Sequence, residues 1–264
     1  VNLLQAILLG ILQGATEFLP VSSSGHLFLA QRLLGLREPE LAFDLLLHFA
    51  TLFAVLFFLR REILEMLGSL FQRDRGAGGG WGRREIFLVV LSSIPTGIIG
   101  IAFHDTVETG ITVWGVGVRY LLLTSFLLVS NLRFRHKWDP DRIAAWEAIA
   151  IGIIQGAAVF PGLSRSGSTI TLALVLGISA SRSARYSFLI SLPAILGAIL
   201  VHAYKGVSVL PGFVPSAAGF LFSLVVGYLS LLVVERLVVQ GKFIRFAPYT
   251  FLLAVLCLYL NWRG

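Results

Sequence analysis

One cysteine, Cys257, in a chain of 264 residues leaves no intramolecular disulfide framework and no clustered thiolate metal site. Charge is scarce as well. Only 13% of the residues are charged against 56% hydrophobic, and mean hydropathy is +0.86, too little charge to clothe a soluble domain of this length. What remains is a polytopic membrane protein, because several apolar runs approach the ~20 residues that cross a bilayer as helix. Acidic residues are the rarer sign, 14 against 21 lysines and arginines, for a net charge of +7. The basic residues fall between hydrophobic segments and not along one face, so nucleic acid is excluded as a partner and the surplus is loop charge that sets topology. The N-terminus has no basic region followed by a small-residue cleavage site, so insertion is expected to be directed by the membrane segments themselves.

Against that background the polar residues stand out. Gln13 to His26 reads QGATEFLPVSSSGH, a carboxylate, an imidazole and three serines in apolar company. The chain returns to the same shape 142 positions later without a gap: AILLGILQGATEFLPVSSSGH from Ala6 is answered by AIAIGIIQGAAVFPGLSRSGS from Ala148. Gln13 falls on Gln155, Ser22 on Ser164, Ser24 on Ser166 and Gly25 on Gly167, whereas Glu17 becomes Val159, Ser23 becomes Arg165 and His26 becomes Ser168. The echo continues faintly, LLHFATLFAV from Leu46 against FLISLPAILG from Phe188. Two copies of one backbone device carry different halves of a polar set.

Each copy holds two apolar stretches too short to span, joined by a polar turn, which describes a re-entrant helical hairpin tolerated only where protein or water surrounds the turn. Pro20 is expected to end the first half-helix, with Ser22 to Ser24 capping the second. Six longer runs read as crossing helices: Phe43 to Leu59, Ile86 to Phe103 (broken at Pro95), Ile111 to Asn131, Tyr186 to Tyr204, Ser216 to Val234 and Phe246 to Trp262. Between the first two lies an expected loop with the flexible run GAGGGWG. The expected fold is therefore all-α and polytopic, six transmembrane helices plus two re-entrant hairpins. It forms a single membrane domain over 1–264, made of two inverted-topology repeats, about 1–131 and 144–264. On this map fifteen of the 21 lysines and arginines lie on one side. The positive-inside rule makes that side cytoplasmic, with both termini outside and the hairpins entering from opposite faces to meet near the midplane.

A carboxylate at membrane depth is costly and marks function or pairing. Gln13 and Glu17, four residues apart, share a helix face. The turns SSSG and SRSG each open a half-helix, where backbone N–H groups, the helix dipole and hydroxyls suit an anion. Arg165 adds a planar fork that matches two phosphate oxygens, which a lysine could not reproduce. One such turn is ordinary capping; two facing turns sharing one arginine, one histidine and one glutamate make a phosphate site, and a diphosphate would use both. The expected ligand is an anionic headgroup whose apolar tail lies in lipid. Asp44 and His48, one helical turn apart, are read equally as cavity lining or as a helix-end pair at the interface. Arg119 is read as snorkelling to the outer headgroups, and Trp114, Trp138, Trp146 and Trp262 as an interfacial belt.

EFLPVSSSGH together with PGLSRSGST resembles the undecaprenyl-diphosphate phosphatase family, the bacitracin-resistance proteins, over essentially the whole chain. The resemblance implies hydrolysis of the terminal phosphate of a polyprenyl diphosphate lipid in the bacterial plasma membrane, which returns the monophosphate carrier to cell-wall synthesis, at a site open to the outer face. It implies Mg2+ or Ca2+ as cofactor, with Glu17 as a metal ligand. Glu17, Ser23, His26 and Arg165 become the catalytic group, with Gln13, Ser22, Ser24, Ser164, Ser166, Gly167 and Thr169 around the phosphates. In those roles Arg165 neutralises the phosphoryl group, His26 shuttles protons, and Ser23 is nucleophile or phosphate donor. The family's first motif allows glutamate or glutamine where this chain has Gln13. A partial SGH match to acid phosphatases of the phosphatidate type fails at Thr171, where those enzymes carry histidine. The rival reading is a lipid-phosphate transporter or flippase built on the same inverted repeats; a carrier, however, has no need of a glutamate and a histidine placed for proton transfer. The bilayer is the other partner, and nothing in the sequence fixes subunit number, a homodimer included.

Overall fold

The computed structural model describes residues 1–36, 41–71, 81–103, 106, 112–132, 140–205 and 210–263. Among the described residues the chain is all helical: α1 (Leu3–Phe18), α2 (Ser23–Leu33), α3 (Leu41–Phe58), α4 (Arg60–Phe71), α5 (Arg83–Ala102), α6 (Val113–Val129), α7 (Ala145–Ala157), α8 (Arg165–Val175), α9 (Ala180–Lys205), α10 (Phe213–Val239), a 3-10 turn (Phe243–Phe246) and α11 (Ala247–Arg263). Trp138 and the loop arginines Arg37, Arg73, Arg75, Arg133 and Arg135 lie outside the described residues. Four helical stretches, Arg83–Ala102, Ala180–Val201, Phe213–Val239 and Phe243–Trp262, are long and apolar enough to cross a membrane. The pair α3 and α4, bent by 72°, counts as a fifth candidate if taken as one broken span, and α6 is an apolar helix of 17 residues. The chain is a polytopic membrane protein.

Local chemistry sets the breaks. Asn2 and Gln5 form a reciprocal capping box that starts α1. The helix stops at Phe18, ahead of Pro20, whose ring and missing N–H forbid another turn. Ser22 caps α2 through the Gly25 N–H, and Ser164 caps α8 through the Gly167 N–H at 3.1 Å. Two sequence expectations need correction. Residues 60–71 are not loop but helix: Ile63 and Met66 pack inward on the face opposite Arg60 and Arg61, so the charged start masks an amphipathic period. Nor does Pro95 break its span; α5 runs through it without interruption.

Helices pair crosswise between the two halves. α1 packs chiefly on α10, and α7 on α5; α6 packs on α11, and α3 on α9 and α10. The tightest crossings are backbone to backbone. A Cβ at Gly10 would lie 2.5 Å from the Gly219 carbonyl oxygen, and one at Gly152 would lie 2.2 Å from the Ser92 carbonyl oxygen. Replacing Gly152 by alanine is thus expected to push α7 off α5 and cost about 2 kcal/mol, a drop of roughly 5 °C in the unfolding midpoint of purified protein. Gly68→Ala, where the added carbon meets nothing within 4 Å, is expected to leave the midpoint unchanged or raised.

The N-terminal end of α9 is tied down by ion pairs. Arg182 donates to Glu85 on α5 at 2.8 Å and lies over the Trp81 ring, while Arg185 bridges Glu62 on α4 and Glu235 on α10. Past the other half of α9 the helices separate around a cavity.

Candidate active site

The cavity has a volume of about 460 Å³. Its polar floor is made by Glu17, Ser22, Ser23 and Ser24 from the first hairpin and Ser164 and Arg165 from the second. Asp44 and His48 on α3 close one flank, and Ser93 and Thr96 on α5 with Gln155 on α7 the other. The remaining wall is apolar or glycine, from Gly97 to Ile101 on α5 and Pro193 to Val201 on α9.

Chain reversal at Pro20 and Gly162 brings the two turns against each other. The Gly162 N–H donates to the Ser22 hydroxyl at 2.9 Å, and the Ser164 and Ser166 hydroxyls donate to the Leu19 carbonyl at 3.4 and 3.2 Å. Gly162 has φ +102°, which only glycine adopts freely. Arg119, expected at the outer headgroups, instead donates from Nε to the Pro161 carbonyl at 2.5 Å and fixes the second turn from α6.

This stitching places opposite charges in contact. Arg165 Nη2 lies 2.5 Å from Glu17 Oε1, although 148 residues separate them. The other carboxylate oxygen, Oε2, accepts from the Ser23 hydroxyl at 2.6 Å and from Gln13 Nε2 at 3.0 Å, with His48 Nε2 3.6 Å away. Two buried atoms of the cluster have no partner among the described residues: Arg165 Nη1, a donor, and Gln13 Oε1, an acceptor. A guanidinium with a spare donor beside a carboxylate and a serine hydroxyl is equipped to receive an oxyanion.

Of the residues singled out in the sequence, Glu17, Ser22, Ser23, Ser24, Ser164 and Arg165 converge on the cavity, and Gln13 stands behind Glu17. His26, Ser166, Gly167 and Thr169 are not among the described residues that line it. The His26 ring faces Tyr249 and Tyr120. Ser166 serves the turn contact, and Thr169 bonds its own helix and Ser187. Gly167 is held against Leu123 and Pro20, where a Cβ would come within 2.8 Å of Leu123. His48 and Asp44 belong to the cavity wall; Asp44 Oδ1 accepts from Gln31 at 2.7 Å. Ser93, Thr96 and Gln155 are additions. Gln155 had a signal, since it is the repeat partner of Gln13, and its Oε1 is likewise buried without a partner; the two hydroxyls had none, because single serines and threonines within helices bond their own backbone.

Fold and site together define a polytopic helical membrane protein with a charge-paired, oxyanion-suited cavity shared between two halves of the chain. A family profile described as Bacitracin resistance protein BacA matches residues 6–256, and the chain belongs to that family. An undecaprenyl-diphosphatase of Desulfosudis oleivorans is 39% identical over 275 residues, spanning 98% of this chain and 99% of its own. The undecaprenyl-diphosphatase of Rubrobacter xylanophilus is 40% identical with 97% of each chain covered, and that of Methanosphaera stadtmanae 36% identical with 98% of each.

Proposed function

We propose that the chain is an undecaprenyl-diphosphatase, a hydrolase that removes the terminal phosphate of undecaprenyl diphosphate and leaves the monophosphate carrier. The observation that carries this is the Glu17–Arg165 contact across the two hairpins, with the Ser23 hydroxyl on the same carboxylate and Arg165 Nη1 free to bond. The terminal phosphate takes the spare Nη1 of Arg165, whose Nη2 stays on Glu17. Ser23 Oγ attacks the terminal phosphorus, its proton passes to Glu17 Oε2, and the bond to the bridging oxygen breaks with the prenyl monophosphate leaving; water then cleaves the phosphoserine. A serine paired to a neighbouring carboxylate is the arrangement of an activated nucleophile. His48 faces Glu17 and adds a polar contact from α3. The apolar walls of α5 and α9 take the first isoprene units.

Mg2+ or Ca2+ fits the donors present. Among the described residues no three histidine, cysteine or carboxylate side chains cluster into an all-protein cage. Glu17 would supply a carboxylate ligand at the cavity, and substrate phosphates would complete the shell, which is how Mg2+ is commonly held. Bound there, the cation would neutralise charge on the phosphates.

An inverted repeat of two re-entrant hairpins and six spans accounts for the packing. With the 142-residue offset, α1 and α2 correspond to α7 and α8 and α3 to α9; the offset lapses after that, and α5 and α6 pair with α10 and α11 by order along the chain. The contacts exchange accordingly: α1 on α10 mirrors α7 on α5, while α6 on α11 and α3 on α9 map onto themselves. The cavity lies toward the helix ends shared with the termini. The ion pairs of Arg182 and Arg185 close the end that carries the basic loops. By the positive-inside rule the site opens outward, in the plasma membrane.

Purified protein in detergent with Mg2+ is expected to release one phosphate per undecaprenyl diphosphate and to accumulate the monophosphate. Absence of release under those conditions, with lipid exchange between leaflets of reconstituted vesicles, would establish the carrier reading instead.

A further inference from the structure

Ser22 is the only described non-glycine residue with positive φ, at +64° with ψ +95°. Such a conformation costs about 1–3 kcal/mol and persists only where the surroundings impose it. Here they grip it from both sides. The Ser22 hydroxyl accepts from Gly162, and its carbonyl accepts twice from one residue, from the His26 backbone N–H at 3.2 Å and from His26 Nδ1 at 2.8 Å. A carbonyl can only accept, so Nδ1 carries the proton. In the neutral ring Nε2 is then a bare acceptor, and it meets the Tyr249 hydroxyl of α11 at 2.7 Å. The Tyr249 ring lies nearly parallel to the imidazole, at 14° and 5.8 Å between centroids. The Tyr120 hydroxyl stands 3.1 Å from Nδ1 and shares its proton. Both ring nitrogens are thereby occupied on the side away from the cavity.

The next residue in the chain is Ser23, whose hydroxyl is aimed at Glu17. A rotation of the Ser22–Ser23 peptide would swing that hydroxyl off the carboxylate. Resting on the phosphatase reading, we infer that Tyr249 is a positioning residue: by donating to Nε2 it holds His26 in the Nδ1–H tautomer, and His26 in turn holds the strained Ser22 carbonyl so that Ser23 faces the phosphate. His26 acts through the turn and exchanges no proton with substrate.

The test uses the 264-residue chain as a whole and separates the two roles for His26. Asparagine places an amide N–H near the Nδ1 position but cannot carry a proton between groups. His26→Ala is expected to lower kcat on the order of a hundredfold, the loss typical of a misplaced reacting group, with KM little changed. His26→Asn is expected to recover to within about tenfold of wild type. Tyr249→Phe is expected to lower kcat about tenfold in the wild-type background and to have no effect beside His26→Asn, where no tautomer remains to be chosen. His26→Asn as inactive as His26→Ala, or equal losses from Tyr249→Phe in both backgrounds, overturns the proposal. A second readout does not depend on turnover. In bilayers, 15N-labelled histidine of the wild-type chain, with His26 assigned by its loss in His26→Asn, is expected to give a protonated Nδ1 and an accepting Nε2. A protonated Nε2 overturns the proposal even for variants that fold poorly. If the wild type releases no phosphate at all, the phosphatase reading fails, while the tautomer still decides what Tyr249 does.

Discussion

Replacing Arg165 by alanine is expected to lower phosphate release from undecaprenyl diphosphate about a thousandfold, and replacing it by lysine on the order of a hundredfold. The difference between the two comes from geometry. Phosphoryl transfer is mostly positioning and charge stabilisation, and the fork of Arg165 does both at once: Nη2 is bound to Glu17 Oε1 while Nη1 is buried with no partner, ready for a phosphate oxygen. Lysine keeps the charge but is a point donor, so it holds either the carboxylate or the phosphate in line and not both. Initial rates of phosphate release over a range of lipid concentrations check this, with the loss expected in kcat. A lysine variant with nearly full turnover would show that no fork is used.

Glu17 is the second large effect. Glu17→Gln retains the shape and an oxygen that can accept from Ser23 or Arg165, but it removes the charge that takes the Ser23 proton and pairs with the guanidinium. Turnover is expected to fall by roughly a thousandfold while the chain stays folded. Glu17→Ala goes further, because besides the counter-charge it removes the oxygen that glutamine keeps for Arg165 and leaves a void; stability is expected to fall by about 3–5 kcal/mol as well. The two variants compared by thermal unfolding and by phosphate release separate the contributions: both lose activity, and the alanine variant shows the larger fall in stability.

The sequence made the centre of this site legible and its surroundings much less so. The gapless repeat located both turns, and the scarcity of charge made Glu17 and Arg165 conspicuous, so their contact follows from two facing hairpins. His26 was conspicuous for the same reason, yet a residue following a turn can project to either side of it. Which side is decided by Tyr249, 223 residues away, through packing that no local pattern encodes. The walls were hidden for another reason. Ser93 and Thr96 are isolated hydroxyls in an apolar helix, and Gly97 and Gly100 face open space with nothing within 4 Å of an added carbon. Only the repeat, in which Gly10 falls on Gly152, sets them apart in sequence from glycines required by a backbone crossing. The helical period of residues 60–71 lay beneath Arg60 and Arg61, which read as loop charge.

Residues from two distant hairpins act as one catalytic unit in this mechanism, and a double-mutant cycle on Glu17 and Arg165 tests that most directly. Phosphate release would be measured for Glu17→Gln, Arg165→Gln and the double variant at saturating undecaprenyl diphosphate. Groups that function only together lose nearly everything on the first substitution, so the double variant is expected to be no slower than about tenfold below the weaker single variant. Losses that multiply, giving a double variant about a millionfold below wild type, would contradict the shared site.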